Sequence, residues 1–532
     1  MVVFGGKMFI KRTIGGTKEK PIAYLQLAQS YRDENGKPRH RILCTLGKEK
    51  EVIGIAEVLA KRFAKLSSKL LVLDKETDFL GRSFLFGPVL AAEAIWRQLN
   101  LDEMLKDVEK EYKVEYDLSK CVKLMTINRL CEPKSKLSIM EWKEDLYCEG
   151  MKGIELQHLY RSLDILAENK DFILKGLYRK SVELFKAEVK VVFYDLTTLY
   201  SESVRESLLK RFGYSKKNKS DCVQVVMGLV ISRDNIPLYY ELFPGNTYEG
   251  STVKGIVEAM KRKFEIEKVI FVGDKGLLGK GVLAEIEKLG LEYIVSAKIS
   301  QSAKKDKKEI FTQEGMREIG EGVKIKEIKI NGRRMIVGYS EERKKRDRAI
   351  REELIEKIKE KIKKDKKGII AKPYYRTYLD IKAEKIEINE EKIKLKEEED
   401  GYFGFWTNNK ELKEEEILKA YKMLWQIEAS FRCLKSSLDL EPLYHYTPKR
   451  IEGHTLMCFI SFYILNAMTR KIEDLSYEKI IESLKRIRVV EIKTDDQKIF
   501  ARTEISGLNN QILRSLNIKI PPTILKEENV VE

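Results

Sequence analysis

Two short apolar runs, each closing on an aspartate, constrain this chain more than any other feature. Val191-Val192-Phe193-Tyr194-Asp195 is the first, and Val269-Ile270-Phe271-Val272-Gly273-Asp274 is the second. Runs this short and this rich in β-branched and aromatic residues are expected as buried strands. An acid at the end of such a strand stands at the rim of a sheet, within reach of a ligand. A third acid, Glu428, falls in a segment with helical spacing from Tyr421 to Lys435. Three acids on three core elements are what a pair of hard divalent cations needs. Mg²⁺ takes carboxylate oxygens and completes its shell with water and phosphate. The pattern points to phosphoryl transfer on a nucleic-acid backbone.

Charge agrees with such a partner. Lys and Arg number 101 against 84 Asp and Glu, a net charge of +17, and a large positive balance favours a polyanion. A lysine-rich, solvated surface is the plain alternative. Seven cysteines are scattered without a C-x-x-C pair, which reads as reduced thiols in a cytoplasmic protein. The four histidines, at 40, 158, 445 and 454, have no neighbours that would make a zinc site or a Ser-His-Asp triad. The start, Met1 to Arg12, has no apolar core with a cleavage site. The longest greasy stretch, Leu456 to Leu465, is too short for a bilayer and predicts a buried helix, so no membrane partner is expected.

Along the 532 residues, 1–75 alternate like a small β-rich unit, with a turn at Asp33-Glu34-Asn35-Gly36. Residues 76–187 show helical spacing, and their basic outer faces are candidates for DNA binding. Residues 188–300 predict strands at 189–194, 222–231, 237–243, 268–273 and 293–298, with helices at 252–264 and 281–289. That order fits a mixed five-stranded sheet with helices on both faces, an α/β class. Residues 301–400 break the pattern with strands at 323–330 and 334–339 and a charged helix near 341–364. In that helix Ile350, Leu354, Ile358 and Ile362 form a thin apolar stripe, which predicts a lightly packed inserted subdomain. The α/β theme resumes over 401–475, and 476–532 form a mixed C-terminal region.

At this point the chain resembles a family. Tyr194-Asp195-Leu196-Thr197-Thr198-Leu199-Tyr200, Phe243-Pro244-Gly245-Asn246-Thr247 and Gly273-Asp274-Lys275-Gly276 follow one another in order. Trp425-Gln426-Ile427-Glu428, Pro442-Leu443-Tyr444-His445 and Arg450-Ile451-Glu452-Gly453-His454 come after them. Together they resemble bacterial DDE transposases of the insertion-sequence-four superfamily, in the branch with a Tyr-Asp-x-Thr-Thr strand motif. The resemblance implies a ribonuclease H-like core with an inserted, mainly β subdomain. It also implies two Mg²⁺ ions, for which Mn²⁺ can substitute, and cut-and-paste movement of an insertion sequence. The implied partners are double-stranded DNA, both terminal inverted repeats and target, and a second copy of the chain in the DNA complex. It implies a cytoplasmic, nucleoid-associated protein. The gap from Asp274 to Glu428 is about twice that from Asp195 to Asp274, which suits an insertion there. The family's signature helix reads Tyr-x2-Arg-x3-Glu-x6-Lys; Tyr421, Glu428 and Lys435 fit it, and Leu424 stands where the Arg would be.

Asp195, Asp274 and Glu428 are therefore the expected metal ligands and catalytic residues, with no protein base required. Helical spacing places Tyr421, Leu424, Trp425, Glu428, Arg432 and Lys435 on one face, where Arg432 and Lys435 would meet phosphates. Trp406 is a candidate for stacking on a flipped base, against a core role beside Phe403 and Phe405. Lys275, His445, Arg450 and His454 complete the expected DNA contacts, each against ordinary packing or capping. The glycines around Asp274 do not make a P-loop, which needs Gly at 274 and Ser or Thr at 281. Two other readings stand beside an active transposase: a ribonuclease H-like nuclease that does not join strands, and a DNA-binding regulator with an inert core.

Overall fold

The structure, a computed structural model, describes residues 8–33, 37–66, 79–185, 191–213, 221–264, 270–273, 280–320, 322–364, 375, 377–382, 385–472, 474–493 and 497–529. The chain forms two compact units, one made of residues 1–82, 490–501 and 524–532, the other of 83–489 and 502–523.

In the first unit β1 (Met8–Thr17), β2 (Lys20–Arg32) and β3 (Pro38–Lys48) form an antiparallel sheet in that order, followed by the helix Glu49–Leu66. Asp33 holds the expected hairpin turn. Its Oδ1 accepts from the Lys37 amide at 2.9 Å and its Oδ2 from Arg39 at 3.0 Å, while residues 34–36 lie outside the description. Next comes β4 (Phe79–Leu85).

The second unit is built around one sheet. Its first strands are β5 (Val191–Tyr200), β6 (Gln224–Ser232), β7 (Pro237–Pro244), β8 (Ile270–Gly273) and β9 (Glu292–Ser296). Then come β10 (Arg317–Glu318), β11 (Val323–Ile330), β12 (Arg333–Ser340), the hairpin β13 (Leu379–Lys382) and β14 (Lys385–Ile388), and β15 (Tyr402–Thr407). The last strands, β16 (Arg488–Lys493), β17 (Gln497–Arg502) and β18 (Ile524–Asn529), return mostly to the first unit, in a four-stranded sheet ordered β18-β17-β16-β4.

The main sheet has nine strands, ordered β10-β11-β12-β15-β9-β8-β5-β6-β7. The five strands expected from the sequence lie side by side within it. β5 runs parallel to β8 and β8 to β9, while β5-β6 and β6-β7 are antiparallel. Two expectations need correction. The inserted segment is not a lightly packed appendage, because β15 pairs antiparallel with β9 and β12 with β15, which continues the core sheet. Asp195 is not at a strand end either. The β-formers Thr197-Thr198-Leu199-Tyr200 carry β5 five residues further, and Asp195 pairs with Leu229 in its middle.

The long greasy stretch is the middle of the helix Pro448–Lys471, buried from Thr455 to Met468. Thr447 caps it by accepting from the Arg450 amide. Gly453 lets it approach the helix Leu156–Glu168: a Cβ there would lie 1.9 Å from the Leu163 carbonyl oxygen. No helix among the described residues is long and apolar enough to cross a membrane. The stripe of the helix Glu341–Lys364 is real but uneven. Ile358 is fully buried with Tyr375 and Leu379, Leu354 and Ile362 pack beside them, and Ile350 is exposed.

Candidate active site

The Tyr421–Lys435 segment is not one helix. The helix Glu414–Lys422 ends, and Trp425–Arg432 begins after a tight turn at Met423-Leu424. Three-residue hydrogen bonds join the pieces, from Leu424 N to Tyr421 O at 2.9 Å and from Gln426 N to Met423 O at 3.0 Å. A π-turn, Cys433–Ser437, follows. The face expected to run unbroken from Tyr421 to Lys435 is thus split into three segments. A turn of this kind preserves spacings of three and four, so periodicity alone could not reveal it.

The helix Trp425–Arg432 packs on β5 and β6, which brings the element bearing Glu428 onto the strand bearing Asp195. Its inner side is Ile427, Ser430 and Phe431, and its outer side presents Trp425, Glu428 and Arg432 to solvent. Ser430 Oγ donates to the Gln426 carbonyl at 2.8 Å and lies 3.3 Å from Asn235 Oδ1, in the turn between β6 and β7. Asn466 ties down the same turn by donating to the Asn235 carbonyl at 2.6 Å. Asp195 Oδ1 accepts from the Leu196 amide at 2.8 Å. β8, the parallel neighbour of β5, ends at Gly273; Asp274 and Lys275 lie outside the described residues. Among the described residues no three His, Cys, Asp or Glu side chains gather as a metal cage.

Glu428 opens into a cavity of about 930 Å³. Tyr421, Leu424 and Trp425 share its wall with Lys298, just past β9, and with Arg343 and Arg346 of the insertion helix. Tyr421 is fixed there by Phe405, the ring centroids 4.5 Å apart. Trp425, 62% exposed, was placed on the helical face without a role, and these three cations were not singled out from the sequence. The signal for Trp425 was present, since it precedes Glu428 by three residues on the exposed face. Nothing in the sequence linked the insertion's arginines to Glu428.

The other expected contacts fall in varied surroundings. Lys435 Nζ donates to the Thr198 carbonyl of β5 at 2.6 Å and sits 3.8 Å from Glu441, which accepts from the Tyr200 amide at 3.0 Å. It braces the strand of Asp195, a job distinct from meeting phosphates. Trp406 pairs with Val295 and Met335 and packs against the apolar cluster of the insertion, as the core alternative had it. Arg450 stacks over Tyr160 at 5.1 Å and contacts Asp164 at 3.4 Å.

His454 is 5% exposed, its ring 4.9 Å from that of His445 and its Nε2 3.9 Å from Cys458 Sγ. A side chain so enclosed meets no DNA from there. Burial, with help from Lys136 and Arg129, holds it well below the usual histidine range. His445 is pushed down to about 3 by burial first, then by Lys136, Arg450, Arg129 and Lys210. It is neutral at physiological pH. Burial also lowers the Lys136 ammonium to about 7.

A model described as the transposase DDE domain matches residues 190–464, and one described as the IS1634 family transposase N-terminal domain matches residues 10–74. No curated protein matches the chain. Among solved structures, the piggyBac transposase synaptic complex with hairpin DNA is 7% identical, covering 75% of this chain and 79% of that one, at a TM-score of 0.34. The Mos1 transposase paired-end complex with the left transposon end is 14% identical, covering 34% and 60%, at 0.15. Marinitoga piezophila Argonaute with a guide RNA is 8% identical, covering 90% and 80%, at 0.20. Those three likenesses are too slight to argue from. The DDE match spans more than half the chain and includes β5, β8 and the helix of Glu428, and on it this protein belongs to the DDE transposase family.

Proposed function

We propose that this transposase cuts and joins insertion-sequence ends by a cut-and-paste route, using Asp195, Asp274 and Glu428 as one carboxylate site. The observation that carries the reading is the packing of the Glu428 helix on β5, the strand of Asp195. Gly273, the residue before Asp274, ends the strand paired to β5. The order β9-β8-β5-β6-β7, with its parallel and antiparallel pairs, supports a ribonuclease H-like core. The Tyr-Asp-x-Thr-Thr motif and the Tyr421, Glu428 and Lys435 spacing support the insertion-sequence-four branch.

Carboxylate oxygens are the donors that Mg²⁺ or Mn²⁺ prefers, so the three acids fit a pair of such ions. When bound, the ions would activate the nucleophile and stabilise the leaving oxygen. The chain's own residues do the rest. Lys435 and Glu441 lock the register of β5, and Ser430 seats the helix of Glu428. Lys298, Arg343 and Arg346 line the same cavity as Glu428, Arg343 lying 3.4 Å from Asp347, and would hold the phosphates of the strand being cut. Arg432, exposed one turn beyond Glu428, would extend that contact, as would Lys275 beside Asp274. Two chains would hold the two transposon ends together.

The test uses DNA carrying the gene's own flanking sequences, a target plasmid and Mg²⁺. Cut ends joined into the plasmid are the expected products. Cutting without joining would reduce the protein to a nuclease, and DNA binding with no cleavage under any divalent cation would leave an inert regulator.

A further inference from the structure

The loop from Leu438 to Thr447, between the π-turn and the long buried helix, presents two aromatic rings that packing does not explain. Tyr444 and Tyr446 are each 67% exposed, while His445 between them turns inward. The backbone beneath them is fastened. Leu443 N donates to the Tyr200 carbonyl at 2.9 Å, Ser201 Oγ donates to the Leu443 carbonyl at 2.6 Å, and Glu441 binds the Tyr200 amide. Lys210, itself buried, donates to Ser201 Oγ at 2.8 Å and lies 5.0 Å from the centroid of the Tyr446 ring. Beneath the loop Arg129 and Lys136 are buried, Arg129 pairs with Asp439 and Arg450 with Asp164, and the charges acting on Tyr444 are Glu202 and Asp439.

Rigid, exposed rings with the Lys210 ammonium beneath one of them suit a partner that offers flat π faces and negative charge together. In duplex DNA the base faces are hidden in the stack, so the fitting partner is an unpaired stretch. The loop is tied to the end of β5, five residues past Asp195. At about 3.3 Å per residue that is roughly 16 Å, about five stacked base steps. We propose that Tyr444 and Tyr446 form a stacking platform for unpaired bases of the DNA strand a few nucleotides from the cut. This rests on the DNA-cutting reading of the carboxylate site.

The experiment measures binding of a ten-nucleotide oligothymidine, a blunt duplex, and the same duplex with a single-stranded thymidine overhang. The double variant Tyr444→Ala/Tyr446→Ala is compared with Tyr444→Phe/Tyr446→Phe and with the unchanged chain. The alanine pair is expected to weaken the oligothymidine and overhang complexes between roughly fivefold and a hundredfold and to spare the blunt duplex. The phenylalanine pair keeps the rings and should bind as the parent does. Both side chains are exposed, so an unchanged melting temperature is expected. Equal losses on blunt duplex and overhang, or no loss on either, overturn the platform. So does a change in oligomeric state with overhang binding intact, which would assign the rings to a contact between chains. If the unchanged protein binds no DNA at all, the DNA-cutting reading fails first and the platform falls with it.

Discussion

The two halves of the main sheet are built by different rules. Every residue of β6, Gln224-Val-Val-Met-Gly-Leu-Val-Ile-Ser232, is buried, because the five-strand half is covered on both faces. β11 in the insertion is mixed instead. Val323, Ile325, Lys326, Ile328 and Ile330 are buried, while Glu327 and Lys329 meet solvent. The first half is a rigid frame on which an acid's position is fixed by register. The second is unevenly covered: β12 is buried from Met335 to Tyr339, while β11 and the insertion helix present charged residues to solvent. The cavity beside Glu428 lies where the two meet, at β9 and β15.

The comparison breaks most sharply under a charge swap. Val230→Lys places an unpaired cation inside the covered half and is expected to abolish cooperative folding, seen as loss of soluble protein or of a thermal transition. Lys329→Thr, on the open face of β11, should stay within about 0.5 kcal/mol of the parent by urea unfolding. If both variants melt alike, the two halves do not differ as described.

Apolar truncations give the next effect. Ile358→Ala, at the buried end of the insertion helix, should cost about 2–4 kcal/mol, and Ile350→Ala, exposed on the same stripe, less than about 0.5 kcal/mol. Gly453→Ala drives a methyl group against the Leu163 carbonyl and should cost about 1–3 kcal/mol.

A smaller effect depends on pH. Buried Lys136, beside Arg129, Asp439, Cys458, His445 and His454, titrates near 7 in the fold and near 10.5 unfolded. Between those values the unfolded chain binds the extra proton, so stability rises with pH, and below 7 the full burial penalty stands. Lys136→Met should therefore raise the melting temperature by a few degrees at pH 6, with the gain shrinking by pH 9. An equal gain at both pH values would show that the ammonium is not the cause. The smallest effect is Arg346→Ala, expected to weaken DNA binding modestly and lower its salt dependence by about one phosphate contact.

Much of the five-strand half was legible in the sequence. Its strands are unbroken runs of β-branched and aromatic residues, and Asn235, with a positive φ of 58°, marks the turn from β6 to β7. The partners of the insertion were not, because apolar residues in β11 and β12 mark them as strands and say nothing about which edge they join. Asp195 read as a strand end because an acid usually closes an apolar run, yet Thr197 to Tyr200 pair with β6 to the last residue. The Met423-Leu424 break has no proline or glycine to announce it. Lys435 was expected to meet phosphates, and only the fold shows the Thr198 carbonyl that claims it.

The most direct measurement is cleavage of DNA bearing the gene's own ends by Asp195→Asn, Asp274→Asn and Glu428→Gln, each with its melting temperature. The account predicts that all three fold as the parent does and lose activity on the order of a thousandfold in both Mg²⁺ and Mn²⁺. Parent-like cleavage by any one of them would contradict a shared carboxylate site.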